Sequence, residues 1–143
     1  MENKLIGNEK DIIFYTDEDG NTKIQVILQN EDVWLNTQAI ANLFDVQRPD
    51  ITKHINNVYK EDELNKDSTC SILEQVQKEG NRTVTRNISY YNLDMIISIG
   101  DRVNSKKAIK FRQWASKVIK EYIIKGFVLD DERFLKGGKV NQQ

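Results

Sequence analysis

Several residue types that define particular protein classes are scarce in this chain of 143 residues. It contains one cysteine, so it can form no internal disulfide and offers no cysteine-based metal site. No apolar run is long enough to span a membrane, and the polar, acidic start has no apolar core of a secretory signal. These absences favour a soluble protein in a reducing cytoplasm.

The residues that most enzymes need are also sparse. The single histidine, His54, accompanies no Ser or Cys nucleophile motif and no His, Asp or Glu cluster with metal-ligand spacing. Asp50 lies four residues before it, a spacing typical of a contact on a helix surface. No glycine-rich phosphate loop is present. We therefore predict a protein that is not an enzyme and holds no metal and no cofactor.

The net charge of −1 counts against a nonspecific nucleic-acid binder, but the charge is unevenly distributed. Residues 1–35 contain 3 basic and 8 acidic side chains, and residues 61–80 contain 2 and 6. Residues 101–125 contain 8 basic and 2 acidic side chains. Such asymmetry predicts a positive face that the total hides.

Composition and length indicate one globular domain, with 38% hydrophobic and 30% charged residues. Two β-rich segments, Ile12–Tyr15 and Lys23–Leu28, flank an acidic loop with the hairpin signal Asp19-Gly20. A turn at residues 30–32 and a short strand, Val33–Leu35, follow. Because phosphate would repel the acidic loop, we expect this hairpin to be structural.

The next stretch predicts two helices joined by a tight turn. Asn36 is a favourable N-cap for a first helix over Thr37–Phe44, whose apolar residues form one stripe. Asp45 tolerates the left-handed conformation that ends a helix, and Val46 fills the turn.

A second helix is predicted to begin at Arg48 or Pro49, where proline is tolerated. Its apolar residues recur at spacings of four and three and face the first helix. The opposite face offers donors for phosphates or base edges: Arg48, Thr52, Lys53, Asn56 and Asn57. This pattern predicts a DNA-binding helix-turn-helix. An ordinary antiparallel helix pair that binds no DNA shows the same pattern.

A polar connector over residues 60–68 leads to a second predicted hairpin, with arms Ile72–Gln77 and Arg82–Tyr90 around Gly80. A hairpin after a helix-turn-helix is typical of a wing, in which Arg82 and Arg86 would contact phosphate or the minor groove. The alternative is an ordinary hairpin with solubilising charges.

Two helices complete the predicted domain. Asn92 caps a short buried helix over Leu93–Ile99 that ends at Gly100. The longest helix covers Ser105 to Lys125, ends at Gly126 and carries a basic face with Lys106, Lys107 and Lys110. Three interpretations of this helix are open: a core helix with a solvated basic face, a dimer seam, or a phosphate contact surface.

Several separated blocks resemble the RhuM family. They are Val33–Leu35 with the helix pair, Tyr90–Gly100, Arg102–Ser105, Phe111–Ala115, Lys120–Gly126 and Leu129–Arg133. The sequence Phe111-x-x-Trp114 followed by an aliphatic helix is also similar, more distantly, to phage and viral BRO-N type DNA-binding domains. Family members tend to have Gly where Asp45 stands, and they continue beyond this length. The resemblance implies an N-terminal domain over residues 1–133, followed by a flexible tail over residues 134–143.

Together, these observations predict an α+β fold with a winged-helix-like helix-turn-helix core, two β-hairpins and a long C-terminal amphipathic helix. The family resemblance implies a DNA-binding protein of prophage or genomic-island type, acting as a transcription regulator. The predicted partners are duplex DNA and a second copy of the chain, paired through the helix Ser105 to Lys125. The predicted DNA contacts are Arg48, Thr52, Lys53, Asn56, Asn57, Arg82, Arg86, Lys106, Lys107 and Lys110. The alternative is a non-enzymatic protein-interaction module, a virulence or phage-host adaptor.

Overall fold

The computed structural model describes residues 3–7, 11–18 and 20–136, and side-chain environments as far as Ile124. Within these residues the fold is α+β, as predicted, with a six-stranded sheet and five helices. The strands are β1 (Asn3–Leu5), β2 (Ile12–Thr16), β3 (Lys23–Gln29), β4 (Asp32–Asn36), β5 (Cys70–Glu79) and β6 (Arg82–Asn92). The helices are α1 (Thr37–Phe44), α2 (Arg48–Lys60), α3 (Lys66–Thr69), α4 (Leu93–Arg102) and α5 (Lys107–Lys136).

The sheet has the strand order β1-β5-β6-β4-β3-β2, and only the β1–β5 pair is parallel. Both predicted hairpins are confirmed. Gly20 and Gly80 have φ values of +72° and +64° in the hairpin loops, where a side chain would strain the backbone. Asn30 and Glu31 also have positive φ, which gives the tight turn between β3 and β4.

One face of the sheet, the helix-covered face, contains the main core. Side chains from β2, β3 and β4 pack there with α1, α2, α4 and the first half of α5; the fully buried ones include Leu35, Ile40, Ile51, Ile96 and Phe111. Tyr15 packs against Phe111 and Trp114, with ring centroids 5.1 and 5.0 Å away. The close packing of this face fixes α1 and α2 against the sheet.

The other side, the open face, carries a smaller cluster that contains no helix residue. Leu5, Ile27, Trp34, Leu73 and Tyr90 form it. The Trp34 indole donates to the Gln29 carbonyl at 2.9 Å. β1 and β2 form the two edges of the sheet, and the Gln29 side chain accepts from the Ile6 N–H at 3.0 Å.

The predicted bounds of α1 and the predicted start of α2 are confirmed. The Asn36 side chain accepts from the Ala39 N–H at 2.8 Å, and Asp45 leaves α1 in the left-handed conformation, with φ 55° and ψ 48°. The Val46 N–H donates to the Ala41 carbonyl at 3.0 Å, and the Val46 side chain packs on the main core. α2 then begins at Arg48 with proline in its first turn.

Three predicted boundaries are wrong. α4 does not end at Gly100 but continues to Arg102, because Gly100 serves a close helix contact rather than a cap. α5 begins at Lys107, where the Ser105 hydroxyl accepts from the backbone N–H at 3.2 Å. α5 also passes through Gly126 to Lys136, since an isolated glycine weakens a helix by only about 1 kcal/mol. The rest of the predicted tail, residues 137–143, lies outside the described residues.

The connector after α2 is more ordered than predicted. It contains the one-turn helix α3, and Thr69 at its end shares a 2.8 Å hydrogen bond with the Tyr59 hydroxyl. Burial raises the pKa of Tyr59 to about 12, so the phenol stays protonated at neutral pH. Arg102 donates to Glu61 and to Glu63, at 2.8 Å each, which ties the connector to α4.

The start of α4 is fixed by a second polar junction. The Asn92 side chain accepts from the Met95 N–H at 3.3 Å and donates to Asp32 at 3.1 Å. Asp32 also accepts from the Val33 N–H at 2.8 Å. Burial raises the pKa of Asp32, although these hydrogen bonds oppose the shift. The junction joins β4, β6 and α4 and so sets the position of the helix layer.

Candidate nucleic-acid interface

The solvent face of α2 carries five of the predicted DNA contacts. Arg48, Thr52, Lys53 and Asn56 are exposed, and Asn57 is half-buried. Neither Arg48 nor Lys53 forms an ion pair with any residue that the structure describes. Their charges are therefore available to an anionic partner. Ile51, Ile55 and Val58 hold the opposite side of the helix in the core.

A polar cleft of about 440 Å³ separates the start of α2 from strand β6. Arg48 borders it from the helix side, and Asn87 and Ser89 border it from the strand side. Thr37 and Gln38, in the first turn of α1, also line it. The cleft therefore brings together donors from three elements that are distant in the sequence.

A second polar cleft, of about 530 Å³, lies on the other side of Arg48. Lys23 from β3 and Gln38 from α1 line it together with Arg48, and Asp45 contributes a carboxylate. The Lys23 ammonium lies 4.4 Å from the centroid of the Phe14 ring. Arg48 thus lies between two concave surfaces, with a second cation on one of them.

The β5–β6 hairpin extends beyond the body of the domain. We call residues 74–87 the arm: all are exposed except Gln75 and Val84, which are half-buried. Arg82 and Arg86, both predicted contacts, lie on it. Arg86 donates to Glu79 at 2.8 Å, in an ion pair whose two side chains are about half exposed. Such a pair is worth little in water, so it leaves Arg86 only partly neutralised.

The three remaining predicted contacts lie on α5 or directly before it, in a different environment. Lys107 and Lys110 border a small cleft of about 200 Å³ with Asp17 and Glu18 of the first hairpin loop. Lys110 forms an ion pair with Glu18. Burial raises the pKa of the neighbouring Tyr15, and the two carboxylates add to the shift. The acidic loop thus offsets part of the basic face; Lys106, also exposed, precedes this helix.

The structure therefore divides the predicted contacts between separate surfaces. Arg48 of α2 lines a cleft together with Asn87 of the arm, whereas Lys107 and Lys110 border a cleft beside the first hairpin loop. Sequence reasoning missed Lys23, Gln38 and Asn87, which line the two clefts around Arg48. No local motif marks these residues, because only the tertiary fold brings them together.

Within the described residues, no group of three or more His, Cys, Asp or Glu side chains could hold a metal ion. No helix in the same part of the chain is both long and apolar enough to cross a membrane. His54 is half-buried on α2, and Cys70 is buried at the start of β5.

Comparison with known proteins adds one result. The model of the virulence protein RhuM family matches residues 68–143, which include the arm, α4 and α5 but not the α1–α2 pair. No match was found among the curated proteins or among the solved structures. The family match covers more than half of the 143 residues. The chain therefore belongs to the virulence protein RhuM family.

Proposed function

We propose that this chain is a DNA-binding domain of prophage or genomic-island type that contacts duplex DNA and acts in transcription regulation. In this proposal α1, the turn at residues 45–47 and α2 form a helix-turn-helix. α2 enters the major groove, and the arm acts as a wing. The observation that carries the proposal is the exposed α2 face, where Arg48 and Lys53 have no ion-pair partner among the described residues.

The chemistry of this face suits a nucleic acid. Arg and Lys neutralise phosphates and release counterions, and asparagine pairs with an adenine edge through two hydrogen bonds. Asn56 and Thr52 lie on the same exposed stripe as Arg48, at helical spacings of four. The packing of Ile51 and Ile55 fixes this stripe, so little ordering entropy is lost when the helix docks.

Lys53→Ala tests the proposal. Binding of fluorescein-labelled random duplexes is measured by anisotropy over a range of salt concentrations. Removal of one phosphate contact should weaken binding and lower the salt slope by about one unit. Lys60→Ala is the matched control, since Lys60 is an exposed lysine at the other end of the same helix. Duplex binding that is absent even at low salt would reject the proposal.

A second candidate function is a non-enzymatic protein-interaction module. The exposed apolar side chains on the distal part of α5 favour it: Tyr122, Ile123 and Ile124 are 38%, 44% and 58% exposed. Salt dependence separates the two candidates, because steep weakening with salt belongs to phosphate contact. An apolar partner would bind this helix with little change between low and moderate salt.

A further inference from the structure

The two faces of the arm carry different side chains. β5 and β6 pair without interruption, from the pair formed by Cys70 and Tyr91 to the pair formed by Glu79 and Arg82. Successive side chains on each strand therefore alternate between the two faces. Ile88 and Tyr90 belong to the open-face cluster, whereas Tyr91 packs on the main core. The alternation therefore places Arg82, Val84 and Arg86 on the open face. Thr83, Thr85 and Asn87 lie on the helix-covered face.

From this alternation we infer that the arm contacts DNA through its helix-covered side, with Thr83, Thr85 and Asn87, and not through Arg82 and Arg86. The inference rests on the proposed DNA-binding function and refines it. It assigns to the arm a set of neutral hydrogen-bonding contacts that continue the α2 surface.

The polar cleft beside Arg48 is the first reason. Asn87 and Ser89 of β6 line it together with Arg48, so this side of the arm and the start of α2 border one continuous concave surface. β6 lies between β5 and β4 in the sheet, which makes it the arm strand closer to the α1–α2 pair. A duplex that contacts Arg48 therefore meets Asn87 next, and then Thr85.

The ion pair on the open face is the second reason. Glu79 accepts from Arg86 at 2.8 Å and lies directly across from Arg82. A phosphate on that face would have to displace this carboxylate from Arg86. The helix-covered face carries Glu74, which lies across from Asn87 on the strand farther from α2, and Lys78, which lies across from Thr83.

The residue types on the helix-covered side match the grooves and backbone of a duplex. Threonine hydroxyls donate to phosphate oxygens, which positions a protein without reading sequence. Asn87, together with Gln38 across the cleft, supplies the amide groups that pair with an adenine edge. The partner recognised is thus duplex DNA, with phosphate contacts from the threonines and base contacts from the amides.

The test compares two variants with the same charge change on opposite faces of the arm. Thr85→Glu and Gln77→Glu each add one negative charge at an exposed position, and their strand-pairing positions are adjacent. With fluorescein-labelled random duplexes at low salt, Thr85→Glu should weaken binding about tenfold because it repels phosphate at close range. Gln77→Glu should change affinity by no more than about twofold, since an exposed charge on the far face is screened.

Two further variants keep the result interpretable. Thr85→Lys should strengthen duplex binding and raise the salt slope by about one unit, which a folding defect cannot do. Arg82→Ala combined with Arg86→Ala should leave affinity within about twofold. Equal effects of Thr85→Glu and Gln77→Glu, with Lys53→Ala still weakening binding, would overturn the inference but not the proposed function. A wild-type protein that binds no duplex would overturn both.

Discussion

At the scale of single residues, Gly100 shows how a local signal is overridden by packing. Its position after an apolar helix predicts a helix end, yet it lies inside α4 and is buried. A Cβ atom at Gly100 would lie 2.5 Å from the Ala108 Cβ and 3.2 Å from the Phe44 Cζ. The absence of a side chain is what permits α4, α5 and α1 to approach so closely.

Gly100→Ala should destabilise the protein by about 1–3 kcal/mol, because the added methyl group overpacks a buried helix contact. This outcome is opposite to the intrinsic preference, which favours Ala over Gly in a helix by about 1 kcal/mol. Urea denaturation followed by circular dichroism measures the difference. Ala108→Gly in the same chain should recover part of the loss. A more stable Gly100→Ala protein would show that the contact relaxes without cost.

At the scale of elements, an ion pair and a hydrogen bond attach the connector after α2 to α4. Glu63 accepts from the Ser98 hydroxyl and from Arg102, and these interactions lower its pKa below the usual 4.5. A carboxyl group with a lowered folded pKa stabilises the protein above its unfolded pKa. The stabilisation is lost as the pH falls through the folded value. The connector should therefore loosen in acid before the core does.

Glu63→Gln should reduce the acid sensitivity of stability below about pH 4.5, with a difference from wild type of less than about 1 kcal/mol because the carboxylate is 41% exposed. Thermal melts between neutral and acidic pH measure it. Ser98→Ala should produce a similar, smaller effect, since it removes the hydrogen bond that lowers this pKa most. Identical pH profiles for wild type and Glu63→Gln would contradict the assignment.

Elements defined by local chemistry could be predicted from the sequence. The bounds of α1 were predicted because the Asn36 side chain caps the first turn and Asp45 adopts the left-handed conformation that ends the helix. The end of α5 was not, because Gly126 has no steric need to leave the helical conformation. β1 was also missed, since three residues that pair in parallel with a strand almost 70 residues away leave no local pattern.

The candidate site also has one part that could be predicted from the sequence and one part that could not. The exposed α2 face could be predicted from helical periodicity, and all of its predicted contacts except the half-buried Asn57 are exposed. The clefts around Arg48 could not, because they depend on how β3, β6 and α1 meet. The alternation along β6 was visible in the sequence. Which of its faces adjoins the helices was decided by packing, since Tyr91 packs on the main core whereas Ile88 and Tyr90 belong to the open-face cluster.

At the scale of the whole molecule, burial decreases along the described side chains of α5. Ala108, Phe111 and Ala115 are buried, whereas Tyr122, Ile123 and Ile124 are exposed. The amphipathic pattern predicted for the helix therefore extends beyond the surface that the domain covers. A homodimer through this helix stays a prediction, and it has a direct test.

Ile123→Glu combined with Ile124→Glu should convert a dimer to a monomer, because charges cannot be buried in an apolar seam without a partner. Sedimentation velocity at several protein concentrations measures the change. Val76→Glu is the control, since Val76 is 66% exposed on the arm and lies outside this helix. A wild-type chain that sediments as a monomer at every concentration would remove the homodimer from the predicted partners.

The parallel pairing of β1 with β5 also sets an order on biosynthesis. A ribosome releases the N-terminal strand long before residues 71–73, its partners in the register, have been made. β1 therefore cannot pair with β5 until that later segment has been made, whereas β2, β3 and β4 pair with one another and all precede β5 in the chain. Such a distant pairing raises the contact order and slows folding. Removal of residues 1–5 should thus leave the pairing of β2, β3 and β4 unchanged.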